Sequence, residues 1–345
     1  MGGIPVHRLG RGPSAAVSHY PEVIAASRRW VGGELGRFDI VHAHLTLTAL
    51  GLLREITARR LPLVVTFYGP WYREHLVELG ARGLSGRVGG PLGGVARLVA
   101  AAFMRQAQAR LLELATATVV LSLASRRDLA DFGYPEAGGA RLVSGGIDTA
   151  HFHPGATTRL LDTATGPRCI AVRRLVPRMG LDVLLAAFAR IQERHPRATL
   201  AIAGDGPLRQ ELVRQAAGLA GVTILGFVPE EELPGLYAAA DLVLMPTRAL
   251  EGFGLPVVEA WAAGTPVVGT PVGSLPELLQ RADAGFVARE ATPGALAEAA
   301  LWALDQGKTR WSQRLVGLSR SYAWAEVAAR MDAVYRDALG GGAKR

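Results

Sequence analysis

The chain has 345 residues, 49% hydrophobic and 20% charged, enough for two buried cores and too long for one ordinary domain of about 100–150 residues. Its formal charge is +8, but Lys308 and Lys344 are the only lysines among 38 basic residues, and the arginines are dispersed without basic blocks or interleaved aromatics, which argues against a dedicated nucleic-acid surface. The lone cysteine, Cys169, excludes an internal disulfide and a cysteine-based zinc site and is expected to pack in a strand. No apolar run reaches the roughly 18 residues of a membrane span and no signal-peptide pattern opens the chain, so the expected compartment is the cytoplasm, with peripheral contact to the inner membrane face left open by the charge.

Strand-like and helix-like patterns alternate throughout, as parallel sheets wrapped by helices require. Residues 38–42, 61–67 and 117–122 read as buried strands, and 47–60 and 94–115 as helices. The second helix carries Arg97, Arg105 and Arg110 among apolar residues; because it leads straight into a strand, core packing is expected rather than a membrane-surface role. A turn-rich segment, Ser144 to Pro154, and an aperiodic stretch to Pro167 mark a boundary. Beyond it, strands are expected at 169–172, 198–203, 222–225, 242–245 and 266–269, and helices at 181–195, 208–217, 256–263, 291–305 and 325–339, with a frayed tail after Gly340. The expected domains are 1–148, 149–322 and a terminal segment 323–345.

The most informative stretch is Glu251-Gly-Phe-Gly-Leu-Pro-Val-Val-Glu259. It follows a buried-strand pattern and runs into a helix opened by Pro256, a residue suited to the first helical turn. Gly252 and Gly254 allow close backbone approach, and a helix N-terminus behind them favours an anion. The segment thus offers a diphosphate cradle and two carboxylates able to accept hydrogen bonds from sugar or ribose hydroxyls. Gly204-Asp205-Gly206 ends another strand at a glycine turn, but Arg209 fills the third glycine position of a dinucleotide fingerprint and Ile224 stands where its acid should fall, so no nicotinamide cofactor is expected. His42 and His44 close a strand, where α/β sheets carry their sites; two histidines alone are not a metal site.

Residues 251–259 resemble the Glu-x7-Glu signature of retaining nucleotide-sugar glycosyltransferases, family 4 in particular, and the resemblance extends over most of the chain, strongest from 140 to 280. Val172-Arg-Arg-Leu-Val-Pro-Arg-Met-Gly180 is similar to the family's Gly-Arg-Leu-x-x-x-Lys-Gly, with Arg174 on the arginine and Met179 on the lysine. Arg178 is adjacent and could supply the missing charge; its alternative is a solvated turn residue. Gly204-Asp205-Gly206-Pro207 resembles the family's glycine turn at the donor cleft, and Gly226-Phe227-Val228 the segment that packs on the nucleotide base, with plain core the alternative for Phe227. Gly273-Ser-Leu-Pro-Glu277 is similar to a loop near sugar and diphosphate, and His44 and Tyr68 lie in segments similar to acceptor-side loops, where histidine is common at the position of Tyr68.

The resemblance implies two Rossmann-like domains facing a cleft, the GT-B form of the α/β class, with a terminal helix packing back on the first domain. It implies sugar transfer from a UDP- or GDP-linked donor to a sugar, lipid or metabolite acceptor with retained configuration, and no metal or bound cofactor. Glu251, Arg174 and Arg178 would serve the reaction, and Glu259, Gly252, Phe253, Gly254, Leu255, Gly204, Asp205, Gly206, Phe227 and Val228 the donor. The family's opening strand, glycine-rich loop, helix and second strand have no match here; residues 3–8 already resemble its third strand, so an incomplete N-terminal domain with unpaired neighbouring strands is expected. A non-catalytic nucleotide-sugar binder and a phosphorylase or epimerase of the same architecture are the alternatives.

Overall fold

The computed structural model describes residues 20–83, 91–134, 137–161 and 165–341; the strand reading of residues 3–8 lies outside them. The first half comprises α1 (Tyr20–Glu34), β1 (Val41–Ala43), α2 (Thr46–Leu50), α3 (Leu53–Ala58), β2 (Leu63–Phe67), α4 (Trp71–Gly83), α5 (Pro91–Glu113), β3 (Ala117–Val120), α6 (Leu123–Asp131) and β4 (Arg141–Leu142). The second comprises β5 (Arg168–Val172), α7 (Leu181–Arg194), β6 (Thr199–Ala203), α8 (Arg209–Ala216), β7 (Val222–Gly226), α9 (Leu233–Ala239), β8 (Leu242–Met245), α10 (Leu255–Ala262), β9 (Val267–Gly269), α11 (Leu275–Leu279), α12 (Pro293–Gln306) and α13 (Thr309–Ser319). α14 (Trp324–Gly341) closes the described chain.

Every strand pair is parallel, as strands linked by crossover helices must be. The first sheet runs β1-β2-β3-β4 and the second β7-β6-β5-β8-β9. Among the described residues the four strands of the first sheet are bonded in unbroken order and β1 forms one outer edge. In the second sheet the strands are apolar on both faces; β8 is buried along its whole length, and Cys169 packs in β5 with no exposure. Helices cover both sides, and α7 lays Leu181, Leu184, Leu185, Phe188 and Ile191 on the sheet at helical spacing.

Two expectations are corrected. The single helix over 47–60 is two helices, α2 and α3, because the chain turns at Gly51, where an added Cβ would fall 1.9 Å from the Ser27 hydroxyl of α1. Core packing accounts for only part of α5: Met104, Leu111 and Leu112 are fully buried, whereas Val95, Leu98, Val99 and Phe103 are exposed on its N-terminal part. The helices α4, α6 and α13 lie outside those expected from sequence; α13 buries Trp311, Leu315 and Ser319.

Two strands of chain join the halves side by side. Ile147 N donates to the Tyr322 carbonyl (2.9 Å), and Trp324 N donates to that of Ile147 (3.1 Å). From there α14 returns to the first sheet, where Val327, Val334 and Ala338 pack on Val64, Val119 and Val143. Val334 is 2% exposed, so Val334→Ala should lower stability by about 1–3 kcal/mol, the scale for deleting buried methyl groups. A denaturation midpoint equal to the parent's would contradict that docking.

Candidate active site

The strand order of the second sheet places its site. From β5 the chain winds one way to β6 and β7, and the other way to β8 and β9, so the crevice at the carboxyl ends of β5 and β8 is the switch point where α/β sheets bind ligands. Arg173 and Arg174 follow β5 directly; Thr247 to Glu251 follow β8. Gly254, at φ +89°, then opens α10 with no side-chain cap on its first turn, which leaves a helix N-terminus toward the crevice.

Arg173 is the buried centre of this crevice. Its Nη2 lies within reach of Glu251 Oε2 (2.5 Å), Thr247 Oγ1 (2.7 Å) and Met179 Sδ (2.7 Å), and Nη1 of Met245 Sδ (3.4 Å). Thr247 in turn donates to Glu251 Oε2 (3.1 Å). The side chains of the ion pair are 3% and 11% exposed. The glycine turn after β6 supports the same backbone: a Cβ at Gly204 would lie 1.8 Å from the Arg173 carbonyl oxygen. Behind the pair, Ser274 N donates to the Glu251 main-chain carbonyl (3.0 Å), so the 273–277 loop holds the backbone that carries the carboxylate.

Arg174 and Arg178 converge on a carboxylate from the other half. Glu74 Oε1, in the first turn of α4, accepts from Arg174 Nη2 (2.8 Å) and Arg178 Nη2 (2.6 Å). Arg178 also donates to the Leu250 carbonyl (2.8 Å) and is buried, which rules out the solvated-turn alternative. Burial pushes the Glu74 pKa up, but the Arg178 and Arg174 guanidinium groups outweigh it and hold the group below its ordinary value. Nearby, Ser122 Oγ and Ser125 Oγ donate to the Gly252 carbonyl (2.7 and 3.0 Å), and Leu123 N donates to Glu277 Oε1 (3.0 Å). Five of these hydrogen bonds latch the halves beside a pocket of about 240 Å³, lined by Tyr68, Glu74, Asp128, Arg174, Arg178 and Glu251 among others.

Of the residues expected from sequence, this pocket gathers Glu251, Arg174, Arg178, Gly252 and Tyr68. Glu259 sits one helical stretch away on α10; its Oε2 accepts from the Tyr237 hydroxyl (2.7 Å), and burial raises its pKa despite that bond. Phe253 is 6% exposed and its ring packs on Tyr322, so its side chain faces the core. Leu255 is exposed and Val228 buried, while Phe227 is 77% exposed at the end of β7, which removes the core alternative for it. Asp205 Oδ1 accepts from Gly206 N (2.8 Å) within its own turn.

On the first-domain side, His44 Nδ1 and the Tyr68 hydroxyl are bonded at 2.8 Å and both are partly exposed. His42 is tied down instead: Nδ1 meets Tyr335 of α14 (2.7 Å) and Nε2 meets Thr66 Oγ1 (2.8 Å). Burial, with His44 stacked 4.0 Å away, lowers the His42 pKa to about 4. No group of three or more His, Cys, Asp or Glu that could hold a metal ion occurs among the described residues.

Sequence reasoning missed Arg173, Thr247 and Glu74. Arg173 had a signal, a charge directly after the apolar run 169–172 at the switch point, but its neighbour Arg174 carried the motif match. Glu74 had none, because its partners lie 100 and 104 residues away.

Comparison with known proteins bears on the same residues. The family description "Glycosyltransferase Family 4" matches residues 2–151, and "Glycosyl transferases group 1" matches residues 166–306. Among curated relatives, a GDP-mannose-dependent alpha-(1-6)-phosphatidylinositol monomannoside mannosyltransferase of Mycobacterium tuberculosis is 35% identical over 184 residues, 49% of this chain and 47% of that protein. A D-inositol 3-phosphate glycosyltransferase of Corynebacterium efficiens is 32% identical over 240 residues, 64% of this chain and 56% of that protein. The chain thus spans about half the length of these relatives. Among solved structures, sucrose-phosphate synthase from Thermosynechococcus elongatus superposes with a TM-score of 0.72 at 23% identity, covering 94% of this chain and 79% of that one. Anabaena HepE in complex with UDP and glucose gives 0.69 at 20%, covering 92% and 80%. At these identities the structures speak for the fold.

Two measurements check the electrostatics. In an NMR titration the His42 ring should stay neutral at pH 5, where an unperturbed histidine of pKa about 6.5 is charged; a midpoint near 6.5 would contradict its burial. Glu74 has a depressed folded pKa, so its stabilisation is full above its ordinary value of 4.5 and is lost as pH falls through the depressed one. Glu74→Gln should therefore melt below the parent at pH 7, and that difference should shrink on acidification. A pH-independent difference would contradict an ionic latch.

Proposed function

Because the chain belongs to the family 4, group 1 glycosyltransferases of GT-B fold, we propose that it transfers a sugar from a nucleoside-diphosphate donor to an acceptor hydroxyl with retention of configuration. The observation that carries this reading is the switch-point cluster: Glu251 fixed by buried hydrogen bonds, beside Arg174, Arg178 and the uncapped start of α10. A diphosphate leaving group needs fixed positive charge where its own charge develops, and two arginines and a helix N-terminus supply it without reorganisation. Glu74 holds the arginines in the resting cleft; the donor diphosphate takes its place on them.

In this reading Glu259 accepts the ribose hydroxyls, Phe227 offers its exposed face to the base, and Glu251 accepts hydrogen bonds from sugar hydroxyls next to the reacting carbon. The anomeric carbon–phosphate oxygen bond breaks, the acceptor oxygen bonds to that carbon from the same face, and the departing phosphate oxygen takes the acceptor's proton. No protein nucleophile and no metal ion enter. His44 and Tyr68 line the acceptor side. UDP-glucose and GDP-mannose are the first donors to assay, since a fold neighbour is described with UDP and glucose and a relative as GDP-mannose-dependent. Inositol phosphates and inositol lipids are the first acceptors, on the names of the same relatives. The exposed apolar residues of α5 support contact with a lipid surface, although no helix among the described residues is long and apolar enough to cross a membrane.

Calorimetry with UDP- and GDP-sugars should find one that binds, and Glu259→Ala should weaken it by about 1–3 kcal/mol, the scale for a hydrogen bond to a charged group. Proton NMR of the product should show the donor's anomeric configuration. Unchanged affinity in the variant would remove Glu259 from the donor site, and an inverted product would remove the same-face mechanism.

A further inference from the structure

The segment after β5 departs from the family pattern at two positions, and the structure brings those two side chains into contact. Aligned on Arg174, the glycine of the pattern falls at Arg173 and the lysine at Met179. A residue with no side chain has become a cation, and a cation has become neutral. Arg173 Nη2 lies 2.7 Å from Met179 Sδ, with Met179 itself 6% exposed in the turn Pro177–Met179. The same nitrogen reaches Glu251 and Thr247. A lysine at residue 179 would bring a second ammonium against the buried guanidinium, at a separation where like charges repel strongly. The neutral, polarizable thioether instead fills the space and accepts the guanidinium.

We propose that Arg173 is the positioning residue of this cleft: the cation that the pattern carries at residue 179 is supplied in this chain from residue 173, where it faces Glu251, and Met179 is the neutral seat matched to it. Arg178 does not fill that place, because its guanidinium is turned to Glu74 and the Leu250 carbonyl. Arg173 acts through Glu251, holding its carboxylate at the end of β8 together with Thr247.

The proposal rests on the glycosyl-transfer reading for its catalytic consequence but not for the pairing itself, and a double-mutant cycle separates the two. Arg173→Gly, Met179→Lys and the double variant are compared by thermal melting and by steady-state kinetics with the donor found by calorimetry. Arg173→Gly leaves Glu251 without its buried partner, and Met179→Lys sets two cations together, so each should melt several degrees below the parent. The double variant should recover most of that loss. Arg173→Gly should also lower kcat/KM by about 10²-fold, the scale for a misplaced reacting group, and the double variant should return it to within about tenfold of the parent. Losses that add in the double variant, or a Met179→Lys variant that melts and turns over like the parent, would overturn the proposal. If Arg173→Gly fails to fold, a folded double variant is the rescue, and an unfolded one beside a parent-like Met179→Lys overturns it. If the parent binds no sugar nucleotide, the functional reading fails, and the melts alone decide the pairing.

Discussion

Burying a guanidinium with a carboxylate removes both from water, and their attraction offsets that penalty only when the remaining hydrogen-bonding groups are also satisfied. Arg173 and Glu251 come close to that condition through Thr247 and the sulfur atoms of Met179 and Met245. Much of the second domain can be read as what makes this possible. The reversal of strand order between β5 and β8 puts the two residues at one crevice, and the apolar sheet beneath keeps water out. The glycine turn after β6 lets the loop carrying Arg173 lie flat, and the 273–277 loop closes behind Glu251. Replacing such a pair by apolar residues is often neutral or stabilising in other proteins, so its presence here speaks for geometry at a site more than for stability.

The second constraint is the latch between halves. Both sheets turn their strand carboxyl ends toward the same cleft, and the contacts across it are polar: two serine hydroxyls on the Gly252 carbonyl, a backbone N–H on Glu277, and Glu74 on two arginines. Polar latches of this kind are exchangeable. On the proposed reading, a ligand anion with more charge than one carboxylate competes directly for Arg174 and Arg178, and donor entry draws on the same bonds that join the domains. The paired crossings at Ile147 and Tyr322 to Trp324 join the halves independently of those bonds, through backbone hydrogen bonds.

The second domain was legible in the sequence because its signals are local. Five apolar strands separated by amphipathic helices fix a parallel sheet, and the Glu251–Glu259 stretch with its glycines and proline marks a strand–loop–helix corner by residue type alone. What was not legible depended on distance or on side-chain direction. Phe253 and Phe227 are both aromatic residues beside glycines, yet one is packed on Tyr322 and the other stands in solvent; only the fold separates them. Arg173 and Arg174 are adjacent, and the alternation at the end of a strand sends one inward to Glu251 and the other outward to Glu74. Within the first domain, short strands of two to five residues and helices with mixed faces gave weaker patterns, and the close approach of Ser27 to Gly51 is a tertiary contact that periodicity does not report.

The central claim, that the β5–β8 crevice is built for a nucleoside diphosphate carrying a sugar, is tested most directly by a crystal structure with the bound nucleoside diphosphate. The account predicts phosphate oxygens within hydrogen-bond distance of Arg174 and the first turn of α10, Glu74 displaced from both arginines, and Arg173 still on Glu251. Phosphates bound elsewhere, with Glu74 left in place, would contradict it.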